Sequence, residues 1–141
     1  MFILDTDHVT ILQLEQGAEY RRLDARLSRL APGEMASTVV SYEEQTRGWL
    51  SFVARGRTVA HLVEAYRRLR QHLEDWRRIP ALPFDASAAV RYQELIRRRL
   101  RIGTMDLRIA ATVLASGGIL LTRNLRDFRQ IPELPAEDWT A

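Results

Sequence analysis

The chain has 141 residues, 46% of them hydrophobic, and contains no cysteine, which excludes disulfide bridges and thiolate metal sites. The length fits one compact domain over residues 1–141, and no apolar run reaches the roughly 18 residues of a membrane-spanning helix, so we expect a soluble cytoplasmic protein without a membrane partner. The formal net charge of +3 arises from 21 arginines and 18 acids without any lysine, and it does not by itself select nucleic acid as a partner.

The chain begins with a pattern for one strand and two helices. Residues 2–4 are apolar and predict a short buried strand, after which two aspartates follow within three positions. An apolar pattern at helical spacing comes next, with Asp7 or a neighbouring residue as its predicted N-cap. A second helical pattern covers residues 20–30 and is ended by Pro32 and Gly33.

The middle of the chain repeats the order of strand and helix. The β-branched run of residues 38–40 predicts a second strand. Ser41 is then the predicted N-cap of a helix, and Glu44, three residues later, would complete a capping box. Apolar residues recur at helical spacing over residues 58–76, which predicts a long amphipathic helix whose other face carries arginines.

The last part of the chain predicts two helices and a third main strand. An extended piece over residues 82–84 precedes a helix capped by Asp85 or Ser87. A further helix begins with Thr104 as its cap and ends at a Gly-Gly pair. The run ILLT, residues 119–122, predicts a strand, and the prolines after it give the final segment loop character.

Alternating strands and helices predict an α/β fold with a mainly parallel sheet, in which ligands bind beyond the carboxyl ends of the strands. Acidic side chains follow each main strand, and one more lies in the first turn of the helix that begins near residue 104, where it points to the same end of the sheet. These residues are Asp5, Glu44, Asp106, and Asp127 with Asn124. Four carboxylates from separate segments would then converge.

Converging carboxylates repel one another unless protons or cations neutralise them. Hard oxygen ligands in a chain without cysteine favour magnesium or manganese over zinc or copper. A divalent ion held by carboxylates lowers the pKa of its bound water and stabilises negative charge on phosphodiester oxygens. The pattern therefore indicates metal-assisted hydrolysis of a phosphodiester.

A second explanation gives each acid an ordinary local role. Asp5 and Asp7 would be helix caps, Glu44 would complete a capping box, and Asp106 and Asp127 would be first-turn or turn residues. Only the joint placement of the acids favours a site over this explanation.

The histidines and arginines point less clearly to chemistry. His61 and His72 lie eleven residues apart on the long predicted helix, about 16 Å along its axis and too far to share one ion. His8 stands next to the acidic opening, where packing or capping is the commoner role of a lone histidine. The arginines of residues 97–101 form the densest basic run and are candidates for phosphate contacts, although a solvated helix face is the commoner explanation for any one of them.

Four motifs in order resemble a known family. They are ILDTD at the start, SYEEQTRG, IGTMDLRIAA, and LLTRNLRDF followed by IPELPAEDW. Together they resemble the PIN domain and, within that family, the VapC-type toxins of bacterial toxin–antitoxin pairs. The resemblance spans nearly the whole chain, and four linked motifs are far more specific than any single acid.

The resemblance implies an α/β/α sandwich around a mainly parallel sheet and a ribonuclease that depends on magnesium or manganese. It also implies inhibition by a VapB-type antitoxin and a homodimer. Its catalytic and metal-binding residues would be Asp5, Glu44, Asp106 and Asp127. Asp7 would be a secondary ligand or a support for the first helical turn, and Thr122 and Asn124 would shape the pocket.

Two assignments and two functions remain as alternatives. Some PIN domains place the fourth acid closer to the strand-end threonine, at the position of Asn124, so Asn124 competes with Asp127 for the fourth ligand position. Glu43 lies beside Glu44, and the resemblance favours Glu44, because the acid of the family precedes its glycine by four residues, as Glu44 precedes Gly48. A catalytically silent binding module that acts with an antitoxin on DNA, and a nuclease of DNA, are the alternative functions.

Overall fold

The computed structural model describes all 141 residues, in five strands and seven helices. In chain order the elements are β1 (Phe2–Leu4), α1 (Thr6–Leu14), α2 (Ala18–Leu27), β2 (Met35–Thr38), α3 (Val39–Ala54), α4 (Val59–Trp76), β3 (Ala81–Leu82), α5 (Ala86–Arg97), α6 (Thr104–Ser116), β4 (Ile119–Leu121), α7 (Leu125–Phe128) and β5 (Ala136–Glu137). None of the helices combines the length and the apolar character that crossing a membrane requires.

The five strands form one sheet in the order β3-β2-β1-β4-β5, and every neighbouring pair is parallel. β1 lies in the middle, where Ile3 pairs with Ala36 of β2 on one side and with Leu120 of β4 on the other. Because all strands run in the same direction, their carboxyl ends meet at one edge of the sheet. The residues that follow β1, β2 and β4 are therefore neighbours in space.

Alternate residues of the central strands enter two separate cores. Ile3 and Leu120 belong to one cluster, which also contains Leu95, Ile109 and Phe128. Leu4 and Leu121 belong to the other, which also contains Val9, Leu23 and Trp76. Helices α5, α6 and α7 thus cover one face of the sheet, and α1, α2 and the end of α4 cover the other. This arrangement confirms the predicted α/β/α sandwich with a parallel central sheet.

The start of α3 differs from the prediction. The second strand covers Met35–Thr38 instead of residues 38–40, and α3 begins at Val39. Thr38 is the N-cap, because its Oγ1 accepts a hydrogen bond from the backbone N–H of Ser41 at 3.0 Å. The predicted capping box between Ser41 and Glu44 is therefore wrong, and the Glu44 side chain is free for another partner.

Two further helices begin close to the predicted positions. Of the two aspartates that the sequence offers as caps, Asp5 caps α1, and its Oδ1 accepts the N–H of Thr6 at 2.7 Å. Gly103 precedes α6, so that Thr104 is the first helical residue rather than its cap. In both cases the helix begins within two residues of the predicted start. Asp7 and Asp106 therefore remain in the first turns of α1 and α6.

The C-terminal segment is more regular than its prolines indicate. Residues 125–128 form α7, and β5 pairs with β4, with Leu120 opposite Ala136. The strand lies at the edge of the sheet and follows Pro135, a place where the missing N–H of proline costs no ladder bond. The predicted loop is wrong here because a strand of two residues carries no periodicity that sequence analysis can detect.

We expect Gly118, at the start of β4, to be intolerant of a side chain. A Cβ at this position would lie 2.8 Å from the Met1 carbonyl oxygen and 2.7 Å from Cδ1 of Ile3, both in the central strand region. Gly118→Ala should lower the free energy of unfolding by about 1–3 kcal/mol in urea denaturation.

Gly48 provides the matched control, since nothing lies within 4 Å of a Cβ built there and the residue is inside α3. Gly48→Ala should raise the free energy of unfolding by about 0.5–1 kcal/mol through helix propensity. Equal effects of the two substitutions would contradict the close approach at Gly118.

Candidate active site

Four of the predicted acids lie at the carboxyl edge of the sheet. Asp5 follows β1 directly, Glu44 lies in the second turn of α3, Asp106 lies in the first turn of α6, and Asp127 lies in α7 after β4. Their charges act on one another, because the charge of Asp106 raises the pKa of both Asp5 and Glu44. The structure thus brings together side chains from four separate segments.

Asp5 is the most deeply buried of these acids, with 5% of its surface exposed. Its Oδ1 accepts the Thr6 N–H at 2.7 Å, and its Oδ2 accepts the Thr122 hydroxyl at 2.7 Å. Burial raises the pKa of Asp5 from 3.8 to about 7, and the nearby charge of Asp7 acts in the same direction, against the lowering effect of the two hydrogen bonds. Near neutral pH the metal-free chain therefore keeps a proton on Asp5 in part of the population.

Glu44 faces the acids, whereas its neighbour Glu43 does not. The Thr6 hydroxyl donates to Oε1 of Glu44 at 2.9 Å, so one residue contacts Asp5 through its backbone and Glu44 through its side chain. Burial is the largest cause of the raised pKa of Glu44. Glu43 instead forms an exposed ion pair with Arg47 one turn along α3. The geometry agrees with the choice of Glu44 that the glycine spacing predicts.

Asn124 contacts the other two acids of the group, Asp106 and Asp127. Its Nδ2 donates to Oδ2 of Asp127 at 2.9 Å and lies 3.5 Å from Oδ2 of Asp106. Burial raises the pKa of Asp106, and the charge of Asp127 raises it further. Both candidates for the fourth position therefore face the acids, with the Asn124 amide as the donor and the Asp127 carboxylate as the acceptor.

Asp7 and Thr122 support the arrangement from the side of β4. Oδ2 of Asp7 accepts the backbone N–H of Arg123 at 2.9 Å, and Oδ1 lies 2.7 Å from Nδ1 of His8. The Thr122 hydroxyl donates to Asp5 and accepts the N–H of Asn124 at 3.0 Å. Thr122 therefore fixes the first residues of the loop that carries Asn124 and Asp127.

Sequence analysis missed Thr6 and gave His8 no specific role. Thr6 looks like a spacer between two aspartates, and only its position at the first residue of a helix beside a strand end hints that it can bond on two sides. His8 is fully buried and bonded to Asp7, which no local pattern indicates.

The four acids have no cationic partner. The ion pairs of the structure involve other acids, and the charges that act on Asp5, Glu44 and Asp106 are all negative. No group of three or more histidine, cysteine or acidic side chains is arranged to enclose one metal ion. The donors fit magnesium or manganese nevertheless, because Mg²⁺ is commonly held by one or two carboxylates and completes its shell with water and phosphate oxygens.

A large cavity adjoins the acids but does not contain them. It has a volume of about 720 Å³ and lies between α3 and the pair α5 and α6, where Leu50, Phe84, Tyr92 and Arg108 contribute to its walls. Glu43 also lines it, next in the chain to Glu44. The acidic group is thus an open edge of the sheet with an apolar groove beside it.

Comparison with known proteins identifies related families and structures. The family model of the PIN domain matches residues 4–134. The chain is 35% identical over 66 residues to the tRNA(fMet)-specific endonuclease VapC of Salmonella typhimurium, an alignment that covers 44% of this chain and 50% of that protein. It is 42% identical over 57 residues to the ribonuclease VapC of Rickettsia bellii, covering 38% of this chain and 42% of the relative. The chain thus spans about half the length of the curated relatives that it matches.

Solved structures share the fold over almost the full length. VapBC-1 from nontypeable Haemophilus influenzae superimposes with a TM-score of 0.75 at 23% identity and covers 99% of this chain and 98% of its own. VapBC2 from Rickettsia felis, bound to a DNA fragment from its promoter, gives a TM-score of 0.70 at 24% identity, with 98% of each chain covered. At these identities the likeness shows the fold.

The raised pKa of Asp5 predicts how stability depends on pH without metal. Between pH 3.8 and about 7 the folded chain holds a proton that the unfolded chain releases, so the free energy of unfolding should fall as pH rises through this window. Asp5→Asn removes the charge and should raise the free energy of unfolding at pH 8 by about 2–4 kcal/mol.

Urea denaturation in EDTA from pH 4 to pH 8 measures both effects. The variant should show a flatter profile than the wild type over this range. Asp24→Asn is the control, because Asp24 is exposed on α2 away from the acids, and it should leave the profile unchanged. The lowered pKa of His72 acts in the opposite direction in both proteins, so the test is their difference. A difference in free energy of unfolding between variant and wild type that does not grow from pH 4 to pH 8 would contradict the raised pKa of Asp5.

Proposed function

The chain belongs to the PIN domain family, and from this premise we propose that it is a metal-dependent endoribonuclease and the toxin of a toxin–antitoxin pair. One observation carries the proposal: four carboxylates from separate segments share one edge of the sheet, and none of them forms an ion pair with an arginine or a histidine. Such a group is unfavourable unless it binds protons or a divalent ion. The ribonuclease names of the curated relatives support the same chemistry.

In this proposal Asp5, Glu44, Asp106 and Asp127 would hold one or two magnesium or manganese ions, with one or two carboxylates on each ion. The bound ion would supply an acidified water and stabilise the charge that develops on the phosphodiester oxygens. The other residues orient these acids. Thr6 and Thr122 fix the two oxygens of Asp5, Thr6 also directs Glu44, and Asn124 lies between Asp106 and Asp127.

Hydrogen bonds fix the orientation of the Asp5 carboxylate before a substrate binds. Thr6 and Thr122 donate to different oxygens of Asp5, so its carboxylate plane is set by groups on both sides. Orientation of this kind reduces the rearrangement that a reaction at the site requires. Burial of Asp5 keeps bulk water from the inner end of the site and strengthens its electrostatic interactions.

RNA is the proposed substrate, and arginines would contact its phosphates. The basic run at residues 97–101 leads into α6, whose first turn carries Asp106. Within this run Arg98 is bonded to Glu133 by two short hydrogen bonds, whereas Arg97, Arg99 and Arg101 form no ion pair. The unpaired guanidinium groups are the better candidates, because they need not exchange a carboxylate for a phosphate.

An antitoxin of the VapB type is the proposed inhibitor, and a homodimer is the proposed assembly. Similar solved structures include VapBC complexes, two of which are bound to DNA. The chain exposes large apolar residues on the surface of α4 that a partner would cover. They are Val59, Val63, Tyr66 and Leu73.

A silent binding module that acts on DNA with an antitoxin is the second candidate. It is favoured by the lack of a closed group of metal ligands in the metal-free chain. Calorimetric titration with manganese separates the two, because a module without catalysis has no need of an ion site. Parallel digestion of RNA and DNA tests the third candidate, a nuclease of DNA.

The first prediction of the proposal concerns metal and Asp5. The purified chain should cleave RNA in the presence of magnesium and should not cleave it in EDTA. The variant Asp5→Asn should cleave RNA at least about 100-fold more slowly, because the substitution removes an ionised oxygen donor. Cleavage that persists both in EDTA and in the variant would exclude the metal mechanism.

The adjacent acids of α3 provide a second prediction with an internal control. Glu44→Gln should lower the rate of RNA cleavage at least about 100-fold, because Glu44 faces the other acids. Glu43→Gln should leave the rate within about threefold, since it breaks only an exposed ion pair with Arg47. Both rates are compared at saturating magnesium, and the reverse order would assign Glu43 to the site.

A further inference from the structure

We propose that His8 is a positioning residue of the acidic site, which holds Asp7 in place and joins it to the C-terminal segment, residues 138–140. The inference rests on the proposed nuclease function for its effect on rate, and on the hydrogen bonds of His8 for its structural part. His8 itself touches no reacting atom in this proposal. Its role is exerted through Asp7.

Both ring nitrogens of His8 are used inside the protein. The side chain is fully buried, Nδ1 lies 2.7 Å from Oδ1 of Asp7, and the backbone N–H of Trp139 donates to Nε2 at 3.2 Å. A backbone N–H can only donate, so Nε2 is the acceptor and the proton between His8 and Asp7 is on Nδ1. Oδ1 of Asp138 lies 3.7 Å from Nε2, beyond hydrogen-bond distance. His8 therefore donates to Asp7 in one fixed direction.

Asp7 is held from two sides as a result. Oδ1 receives the Nδ1–H of His8, and Oδ2 receives the backbone N–H of Arg123 at 2.9 Å. The same Oδ2 lies 3.4 Å from Oγ1 of Thr122, the hydroxyl that donates to Asp5. Asp7 thus connects His8 to the start of the loop between β4 and α7.

The position of Asp7 matters for the other acids because its charge acts on them. It contributes to the raised pKa of Asp5, Glu44 and Asp106. A carboxylate that rotated away would also release Arg123 and the loop that carries Asn124. Small displacements of groups that orient an active site lower rates by large factors.

The C-terminal segment that contacts His8 is held in place by residues of β1 and α2. The Trp139 ring lies 4.6 Å from the ring of Phe2, and the Arg26 guanidinium lies 4.3 Å above it. The Thr140 carbonyl accepts Nε–H of Arg22 at 2.7 Å, and Oδ1 of Asp138 accepts the Thr140 N–H at 2.8 Å. The N–H of Trp139 is therefore fixed from α2, and with it the ring of His8.

Simple packing is the competing explanation, and two substitutions separate it from positioning. His8→Asn keeps an N–H donor near the place of Nδ1 but loses the acceptor for Trp139. His8→Gln keeps an acceptor near the place of Nε2 but loses the donor for Asp7. Gln is nearly as large as His and Asn is clearly smaller, so packing alone predicts the larger loss of rate in His8→Asn.

We expect kcat for RNA cleavage to fall about 10- to 100-fold in His8→Gln with KM changed less than about twofold, because supporting residues of metal sites have effects of this size. His8→Asn should stay within about threefold of the wild type. Equal losses in the two variants, or wild-type kcat in His8→Gln, would overturn the positioning role.

Amide hydrogen exchange gives a readout that does not need activity. Exchange at the Arg123 N–H, which donates to Asp7, should accelerate at least about tenfold in His8→Gln and remain slow in His8→Asn. The Trp139 N–H should show the opposite pattern. A wild type without RNA cleavage would refute the proposed function alone, while unchanged exchange at Arg123 in both variants would refute the role of His8.

The wild-type chain provides a test if either variant fails to fold. Nitrogen-15 NMR of the histidine ring should show a protonated Nδ1 and an unprotonated Nε2 for His8 at pH 8. A proton on Nε2 instead would remove the donor to Asp7 and overturn the inference.

Discussion

The attachment of Asp5 to β4 is the interaction on which the arrangement of the other acids depends. The backbone N–H of Asp5 donates to the Leu121 carbonyl at 2.9 Å, and its side chain accepts the Thr122 hydroxyl at 2.7 Å. Thr122 in turn receives the Asn124 N–H, which begins the loop toward Asp127. One ladder bond and one side-chain bond therefore set the distance between the first and the last acid of the chain.

The parallel sheet brings acids that repel one another to the same edge, and packing in the two cores offsets this repulsion. At this edge of the sheet the pKa values of Asp5, Glu44 and Asp106 are raised, because burial and neighbouring charges both disfavour the ionised forms. The two cores on opposite faces of the sheet hold the strands in register in spite of this repulsion. A group of acids that repel one another, held by a well-packed core, is the usual compromise between stability and activity.

The sequence predicts those parts of the fold and the site that depend on near neighbours. Asp5 could be identified because an apolar strand leads directly to it, and the long helix over residues 58–76 follows from apolar residues that recur at helical spacing. The predicted capping box at Ser41 is wrong because the Thr38 hydroxyl accepts the backbone N–H of Ser41. The β-branched residues 38–40 suggest a strand, but the strand ends at the first of them and the helix begins at the second. The bond between His8 and Trp139 joins residues 131 positions apart, and no local pattern carries such information.

Neighbouring acids differ in role because a helix turns by about 100° per residue. Glu43 and Glu44 are adjacent in α3, yet one points to solvent and Arg47 while the other meets Thr6 and the acidic edge. Asp5 and Asp7 divide in the same way at the start of α1. Asp5 lies in the buried strand end and accepts from Thr6 and Thr122, whereas Asp7 is turned toward Arg123 and His8. A motif with two aspartates therefore supplies one acid to the site and one to its support, and the direction of the helix decides which is which.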